Sequence, residues 1–141
     1  LISHNRYTLV NRAAGPMFDH AQTSGIAILN AAPFAGGVLA KGSAVMPRIT
    51  YQQADDAALA GIRRIEAICA EHGIAPGAAA LQFSMRDPRV TSTVVGVSRP
   101  ERVQQALDWA AFPIPPEVWA ELEALPYDLT DPEAGRDYRP A

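Results

Sequence analysis

Phe34-Ala35-Gly36-Gly37 and Ser98-Arg99-Pro100 are the two stretches of this sequence whose residue types suit the binding of an anion. Glycines let backbone N–H groups approach a ligand closely, and a proline just after Ser98-Arg99 opens a helix whose free N–H groups and dipole favour phosphate. Arg99 and Arg102 add charge there, Arg102 through a bidentate guanidinium fork. Each stretch also has a plain reading, the glycine pair as a turn and residues 98–101 as an ordinary helix start. Both fall after apolar strand patterns, on consecutive strand-to-helix loops, and that favours the phosphate reading, because parallel α/β proteins place ligands at the C-terminal ends of their strands.

The remaining reactive residue types point to no second chemistry. His4, in a strand pattern, reads more readily as a hydrogen-bonded core residue than as a ligand. His20 reads as a surface residue and His72 as a helix C-terminal one. With Glu71 and the single cysteine, Cys69, far from a clustered spacing, no metal-binding pattern emerges. A nucleophile elbow, a Walker loop and a dinucleotide G-x-G-x-x-G are all absent from the sequence.

Composition narrows the class. The 141 residues are 48% hydrophobic and 19% charged, with a net charge of -3 from 12 basic and 15 acidic residues, as expected of one soluble, well-packed domain. Without a basic surplus, nucleic acid is not an expected partner. No run approaches the roughly eighteen apolar residues of a membrane span, and Leu1 opens no charged n-region of a signal peptide, so no membrane association and a cytoplasmic location are expected. One cysteine allows no intramolecular disulfide, and Cys69 falls on an apolar helical stripe.

The elements that must position the loops alternate in period. Residues 1–10, 25–30 and 90–97 read as strands, the second as a strand buried on both faces. Helices are expected over 16–23, from Ala58 through Cys69 with Gly73 just beyond its end, from Pro76 through Phe83, from Pro100 with Val103, Ala106, Leu107 and Ala110 on one face, and from Pro116 with Val118, Trp119, Leu122 and Leu125 inward. Residues 34–51 read as a long irregular loop, of the kind that is usually functional. The order β-α-β-α-α-β-α-α implies parallel strands joined by crossovers. Three such strands cannot close a barrel and would leave two apolar edges, at residues 1–10 and 90–97, open to pairing. The expected remedy is a missing N-terminal barrel half, a companion chain or a second copy, and Leu1, already inside a strand pattern, suggests a fragment of something longer.

Residues 25–40 (GIAILNAAPFAGGVLA), 79–88 (AALQFSMRDP) and 91–101 (TSTVVGVSRPE), preceded by His4-Asn5-Arg6-Tyr7-Thr8-Leu9, resemble the C-terminal part of the aldo-keto reductase family, in its sugar 1-dehydrogenase branch. The resemblance implies an α/β fold, the strand-six-to-eight portion of a (β/α)8 TIM barrel over residues 1–125, with a draped or mobile C-terminal tail over 126–141. It implies an oxidoreductase that uses NAD or NADP and transfers a hydride to or from a sugar, or another alcohol or aldehyde, as small-molecule substrate. The family's Asp, Tyr, Lys and His tetrad belongs to the first half of its barrel, so no catalytic residue is carried onto this chain, and the chain alone is expected to be inactive.

Cofactor-binding residues do carry over. His4 resembles the strand-six position, usually Gln, beside the nicotinamide carboxamide. Ala31 falls where many members place an aromatic ring, and its stacking task passes to Phe34 or another residue. Ala32, Phe34 and Gly36 match the loop around the pyrophosphate, and Gly96, Ser98, Arg99, Arg102 and Gln105 match the last-strand loop and helix around the adenosine. Gly96 stands where NADP-selective members have Lys, and Ala106 where the adenine end usually has Asn, which favours tolerance of NAD. The rival expectation is a non-enzymatic nucleotide-sensing, structural or interaction subunit on the same fold.

Overall fold

A parallel sheet needs crossovers, and this chain supplies them with helices. The structure, a computed structural model, describes residues 1–135. In chain order its elements are β1 (Ile2–His4), α1 (Gly15–Thr23), β2 (Leu29–Ala31), α2 (Val38–Lys41), β3 (Arg48–Ile49), β4 (Gln52–Gln53), α3 (Asp56–Glu71), α4 (Pro76–Met85), β5 (Ser92–Val94), α5 (Pro100–Ala111) and α6 (Pro116–Glu123). β1, β2 and β5 form one parallel sheet in the order β1-β2-β5, with β1 and β5 at its edges. The expected series of helices and parallel strands is present.

The strands are shorter than the sequence pattern suggests. Residues 1–10, 25–30 and 90–97 carry strand-like composition, but only three residues of each segment pair in the ladder, and β2 runs one residue past the expected end. After His4 the chain leaves the sheet: Asn5 takes a φ of 59°, and Thr8 Oγ1 accepts from the Val10 and Asn11 amides, closing a local turn instead of a ladder. Residues 34–51, expected to be irregular, contain the short helix α2 and open the β3-β4 hairpin. The hairpin turns through Thr50 and Tyr51, both at positive φ as in a type I′ turn, without the Asn-Gly pair that usually announces one.

Register divides the sheet into two faces. Successive strand residues point to opposite sides, and Ser3, Asn30 and Thr93 form one cross-strand row. That row meets α4: Asn30 Nδ2 donates to Ser84 Oγ at 2.8 Å and to the Tyr7 carbonyl at 2.9 Å, and Ser84 Oγ lies 2.7 Å from Thr93 Oγ1. The row therefore corrects the expectation of apolar side chains on both faces. On the other side, Ile2 is 68% and Val94 45% exposed.

The helices pack where their periods predict. Leu59, Ile62, Ile65 and Cys69 recur at three- and four-residue spacing on α3 and are buried, each large aliphatic contributing about 1.5–3 kcal/mol. Asp55 caps α3 by accepting from the Ala58 amide at 2.8 Å. α4 is buried along most of its surface, and at Gly77 a β-carbon would run into the Trp109 ring, so glycine is what lets α5 approach. α6 buries Val118, Trp119 and Leu122. α5 differs: none of its residues is buried, and the expected inward stripe leaves Val103 48% and Leu107 59% exposed, with Ala106 and Ala110 intermediate. The apolar stripe exists, but nothing among the described residues covers it.

The tail crosses back over the exit of β1. Asp128 N donates to the Val10 carbonyl and Arg12 N to the Asp128 carbonyl, while Asn11 Nδ2 donates to the Thr130 carbonyl. Residues 126–135 are thus tied down, and residues 136–141 of the expected tail lie outside the described residues. No helix among the described residues is long and apolar enough to cross a membrane.

Candidate functional site

β2 and β5 end side by side, and their exits form one cavity. The ladder's last row joins His4, Ala31 and Val94. Beyond it Ala32 takes a φ of 58° and Ala35 one of 50°, left-handed conformations that cost a side-chain-bearing residue about 1–2 kcal/mol each. Pro33 and Phe34 follow, and Gly37, at a φ of 104°, leads into α2, whose last residue is Lys41. Lys41 comes back to the cavity because the next turn is clamped: Glu66, on α3, accepts from the Ser43 amide at 2.6 Å and from Ser43 Oγ at 2.7 Å.

From the other side, the chain after Val94 leaves the ladder and bends at Ser98 and Arg99, and Pro100 opens α5 with no side chain capping its first N–H groups. Arg102, Gln105, Ala106 and Trp109 follow at spacings of three, one and three, and this stripe, one step round the helix from the exposed apolar one, lines the cavity. Arg102 Nη1 donates to Gln105 Oε1 at 2.8 Å. Phe34 meets Trp109 edge to face, with centroids 5.8 Å apart and planes at 72°. The cavity, about 350 Å³, gathers Lys41, Arg99 and Arg102 around this aromatic wall.

Six of the ten residues expected at a cofactor lie here: Phe34, Gly96, Ser98, Arg99, Arg102 and Gln105. Four lie elsewhere. His4 and Ala31 are neighbours in the last row of the ladder. Ala32 is the strained residue at the β2 exit. Gly36, at a φ of 75°, sits under the hairpin, where a β-carbon would come within 2.8 Å of the Tyr51 amide and 2.9 Å of the Thr50 amide. Its lack of a side chain makes room for the hairpin turn. Sequence reasoning missed Lys41 and Trp109. The signal for Trp109 was its place seven residues after Arg102, and Lys41 carried none, because the clamp that returns it depends on Glu66, far along the chain.

A second cavity, about 460 Å³, opens beside Asn5, Thr8, Asn11, Thr50, Asp55 and Asp128, without a lysine or arginine in its lining. Its charged groups are the carboxylates Asp55 and Asp128, so it does not suit an anion. Among the described residues no three His, Cys, Asp or Glu side chains are placed to hold a metal ion.

Tyr7 belongs to the scaffold. Its hydroxyl donates to Asp87 and accepts from Arg89 Nη2 at 3.1 Å, and Arg89 also reaches Asp87 Oδ2 and Asp19 Oδ1 at 2.6 Å each. Burial, then the hydrogen bond to Asp87 and the Asp87 charge, push the Tyr7 phenol up to about 12. Burial alone would raise Asp87, but the hydrogen bonds from Arg89 and Tyr7 outweigh it and bring the carboxyl down to about 2.

The structure is an α/β protein with parallel strands, and where two strand exits converge a glycine turn, an uncapped helix start and three cations make a cavity whose charge and free N–H groups suit an anion. Comparison with known proteins makes the class specific. The aldo/keto reductase family profile matches residues 1–126, and the chain belongs to that family. It is similar to a D-threo-aldose 1-dehydrogenase of Pseudomonas sp, at 37% identity over 119 residues, covering 83% of this chain and 36% of that protein. It is also similar to a pyridoxal 4-dehydrogenase of Microbacterium luteolum, at 32% identity over 120 residues, covering 84% of this chain and 35% of that protein. The chain spans about a third of the length of these curated relatives.

Proposed function

We propose that this chain is the strand-six-to-eight portion of a (β/α)8 barrel and that the complete protein is an NAD(P)-dependent oxidoreductase acting on a sugar or another alcohol or aldehyde. The reading rests above all on the cavity between the β2 exit and α5, where Lys41, Arg99 and Arg102 stand around Phe34 and Trp109. That donor set fits the adenosine and phosphate end of a dinucleotide: guanidinium and ammonium groups for the anion, aromatic faces for the apolar part. Arg99, Arg102, Gln105 and Lys41 would hold this end, Ala32, Phe34 and Gly37 would shape the turn around the pyrophosphate, and His4 and Ala31 would border the nicotinamide. The cofactor, when bound, supplies the hydride chemistry. Gly96 brings no charge and Lys41 does, so both NAD and NADP are accepted.

This chain binds and orients. Proton transfer is left to residues outside it, since Tyr7 keeps its proton to about pH 12 and has its hydroxyl committed to Asp87. The uncovered sheet face and the free edges of β1 and β5 are where the rest of the barrel would pack, supplied by an N-terminal half, a companion chain or a second copy. A lone, buried Cys69 suits a reducing compartment, and we place the protein in the cytoplasm.

Titrating NAD and NADP into the protein with its complete barrel, read by quenching of Trp109 fluorescence, tests the proposal. Arg102→Ala should weaken NADP more than NAD, by about 1–3 kcal/mol for a charge-assisted contact. Gly96→Lys should shift preference toward NADP. If neither nucleotide binds, or Arg102→Ala leaves both affinities unchanged, the cavity is not the cofactor site.

A further inference from the structure

His4 ends β1 on the uncovered face of the sheet, in register with Ala31, and its ring is held from two sides by segments far away in sequence. Tyr51, on the hairpin turn, stacks on it with centroids 6.2 Å apart and planes at 16°. Glu133, on the tail, brings Oε1 to 3.2 Å from His4 Nδ1, and the same oxygen accepts from Asn5 Nδ2 at 2.9 Å. The Glu133 side chain is only 13% exposed, against 45% for His4. The tail is fixed just before this contact, since Arg6 Nε pairs with Asp131 at 2.8 Å and Gln52 donates to the Pro132 carbonyl at 3.1 Å.

Two groups meet Nδ1 at 3.2 Å: the Glu133 carboxylate, which only accepts, and Asn5 Nδ2, which only donates and makes its shorter contact, 2.9 Å, to Glu133; the charged acceptor is the stronger partner and favours a proton on Nδ1. In a neutral imidazole a proton on Nδ1 makes Nε2 an acceptor. Nε2 has no hydrogen-bond partner among the described residues.

We propose that Glu133 is a positioning residue for His4, fixing its ring in the Nδ1-protonated tautomer so that Nε2 accepts from the amide N–H of a bound nicotinamide carboxamide. The proposal rests on the reading of His4 as a nicotinamide neighbour. It adds that a residue of the tail, and not of the barrel strands, selects which group of the carboxamide that ring can recognise. With the other tautomer the ring would offer an N–H to the carboxamide oxygen. The orientation of the nicotinamide ring, and with it the face presented for hydride transfer, is coupled to a contact made by residues 131–133.

The test uses the protein with its complete barrel and two readouts. Nitrogen-15 NMR of the imidazole reports the tautomer without cofactor: wild type should show Nδ1 protonated and Nε2 bare, and Glu133→Gln should lose that bias. Binding is measured with NAD and with ADP-ribose, which lacks the nicotinamide. Glu133→Gln should weaken NAD about tenfold, the size of a lost charge-assisted hydrogen bond, and leave ADP-ribose unchanged, a split that general loosening of the tail would not give. An Nε2-protonated ring in wild type overturns the proposal even if the variant fails to fold. Loss of NAD affinity in His4→Ala with none in Glu133→Gln overturns the role of Glu133 alone. Unchanged NAD binding in His4→Ala overturns the reading of His4, and the proposal with it.

Discussion

The two faces of the sheet are built in opposite senses. The face under α4 is polar and closed: Ser3 and Asn30 are buried, Asn30 Nδ2 donates to Ser84 Oγ and Ser84 Oγ lies beside Thr93 Oγ1, while Ser3 Oγ and Asn30 Oδ1 find no partner among the described residues. The face away from the helices is largely apolar and open, with Ile2 and Val94 exposed. A sheet meant to meet water on one side would reverse this arrangement. Buried hydrogen bonds fix how the strands sit against the helices, since a wrong register would also take the Tyr7 carbonyl and Ser84 from Asn30 Nδ2. The open face has apolar area to contribute and nothing to contribute it to. The exposed stripe of α5 repeats the lesson at the sheet's edge.

Breaking the closed face should have the largest effect. Asn30→Ala removes the donor to the Tyr7 carbonyl and to Ser84, and should destabilise the protein by about 2–4 kcal/mol in a denaturant titration, because the partners stay buried. A loss below about 0.5 kcal/mol would mean that the polar row is incidental and would dissolve the contrast.

Next comes the Tyr7-Asp87-Arg89 network at the edge of the same covered region. Asp87→Asn should cost about 1–3 kcal/mol, the range for hydrogen bonds to a charged group. The same network gives a pH dependence. A carboxyl lowered from 3.8 to about 2 adds stability that is present above pH 3.8 and is lost as the pH falls toward 2. A phenol raised from 10.0 to about 12 adds stability that is present below pH 10.0 and is lost as the pH rises toward 12. Denaturation midpoints at intervals across both windows would check this, and Asp87→Asn should flatten the acid limb. An unchanged acid limb would take Asp87 out of the account.

The smallest effect belongs to the open face, and it sharpens the comparison. In the 141-residue chain alone, Ile2→Thr or Val94→Thr should change stability by no more than about 0.5 kcal/mol, as at any exposed site. In the complete barrel the same changes should cost about 1–2 kcal/mol if the face is covered there. Equal, small effects in both would mean that the face stays open to solvent.

Much of the architecture was legible in the sequence, for a physical reason. α3 and α6 announce themselves because one buried stripe sets a 3.6-residue period, and the prolines at positions 76, 100 and 116 mark helix starts through their fixed φ. Strand ends were not legible: residues 5–10 have strand composition, but a ladder stops where its neighbour stops, and β2 is three residues long. The hairpin was hidden because Thr50 and Tyr51 hold positive φ through tertiary support, the Thr50 amide donating to the Ala35 carbonyl at 3.1 Å. Of the candidate site, the arginines and the helix start were readable in local sequence. Lys41 and Glu133 were not, because what brings each into place is a contact with a distant segment.

The tail's return to the start of the chain also sets an order in time. Synthesis runs from the N-terminal side, so β1, β2 and their helices are available to pack before residues 128–133 exist as a free segment. His4 is made well before Glu133, which lies 129 residues further along the chain. The sheet and the basic cavity can therefore form while the contact on His4 is still missing, and a chain cut short after Leu125 would carry the basic cavity with an unfixed histidine. Synthesis of residues 128–133 is thus the step that closes the contact on His4.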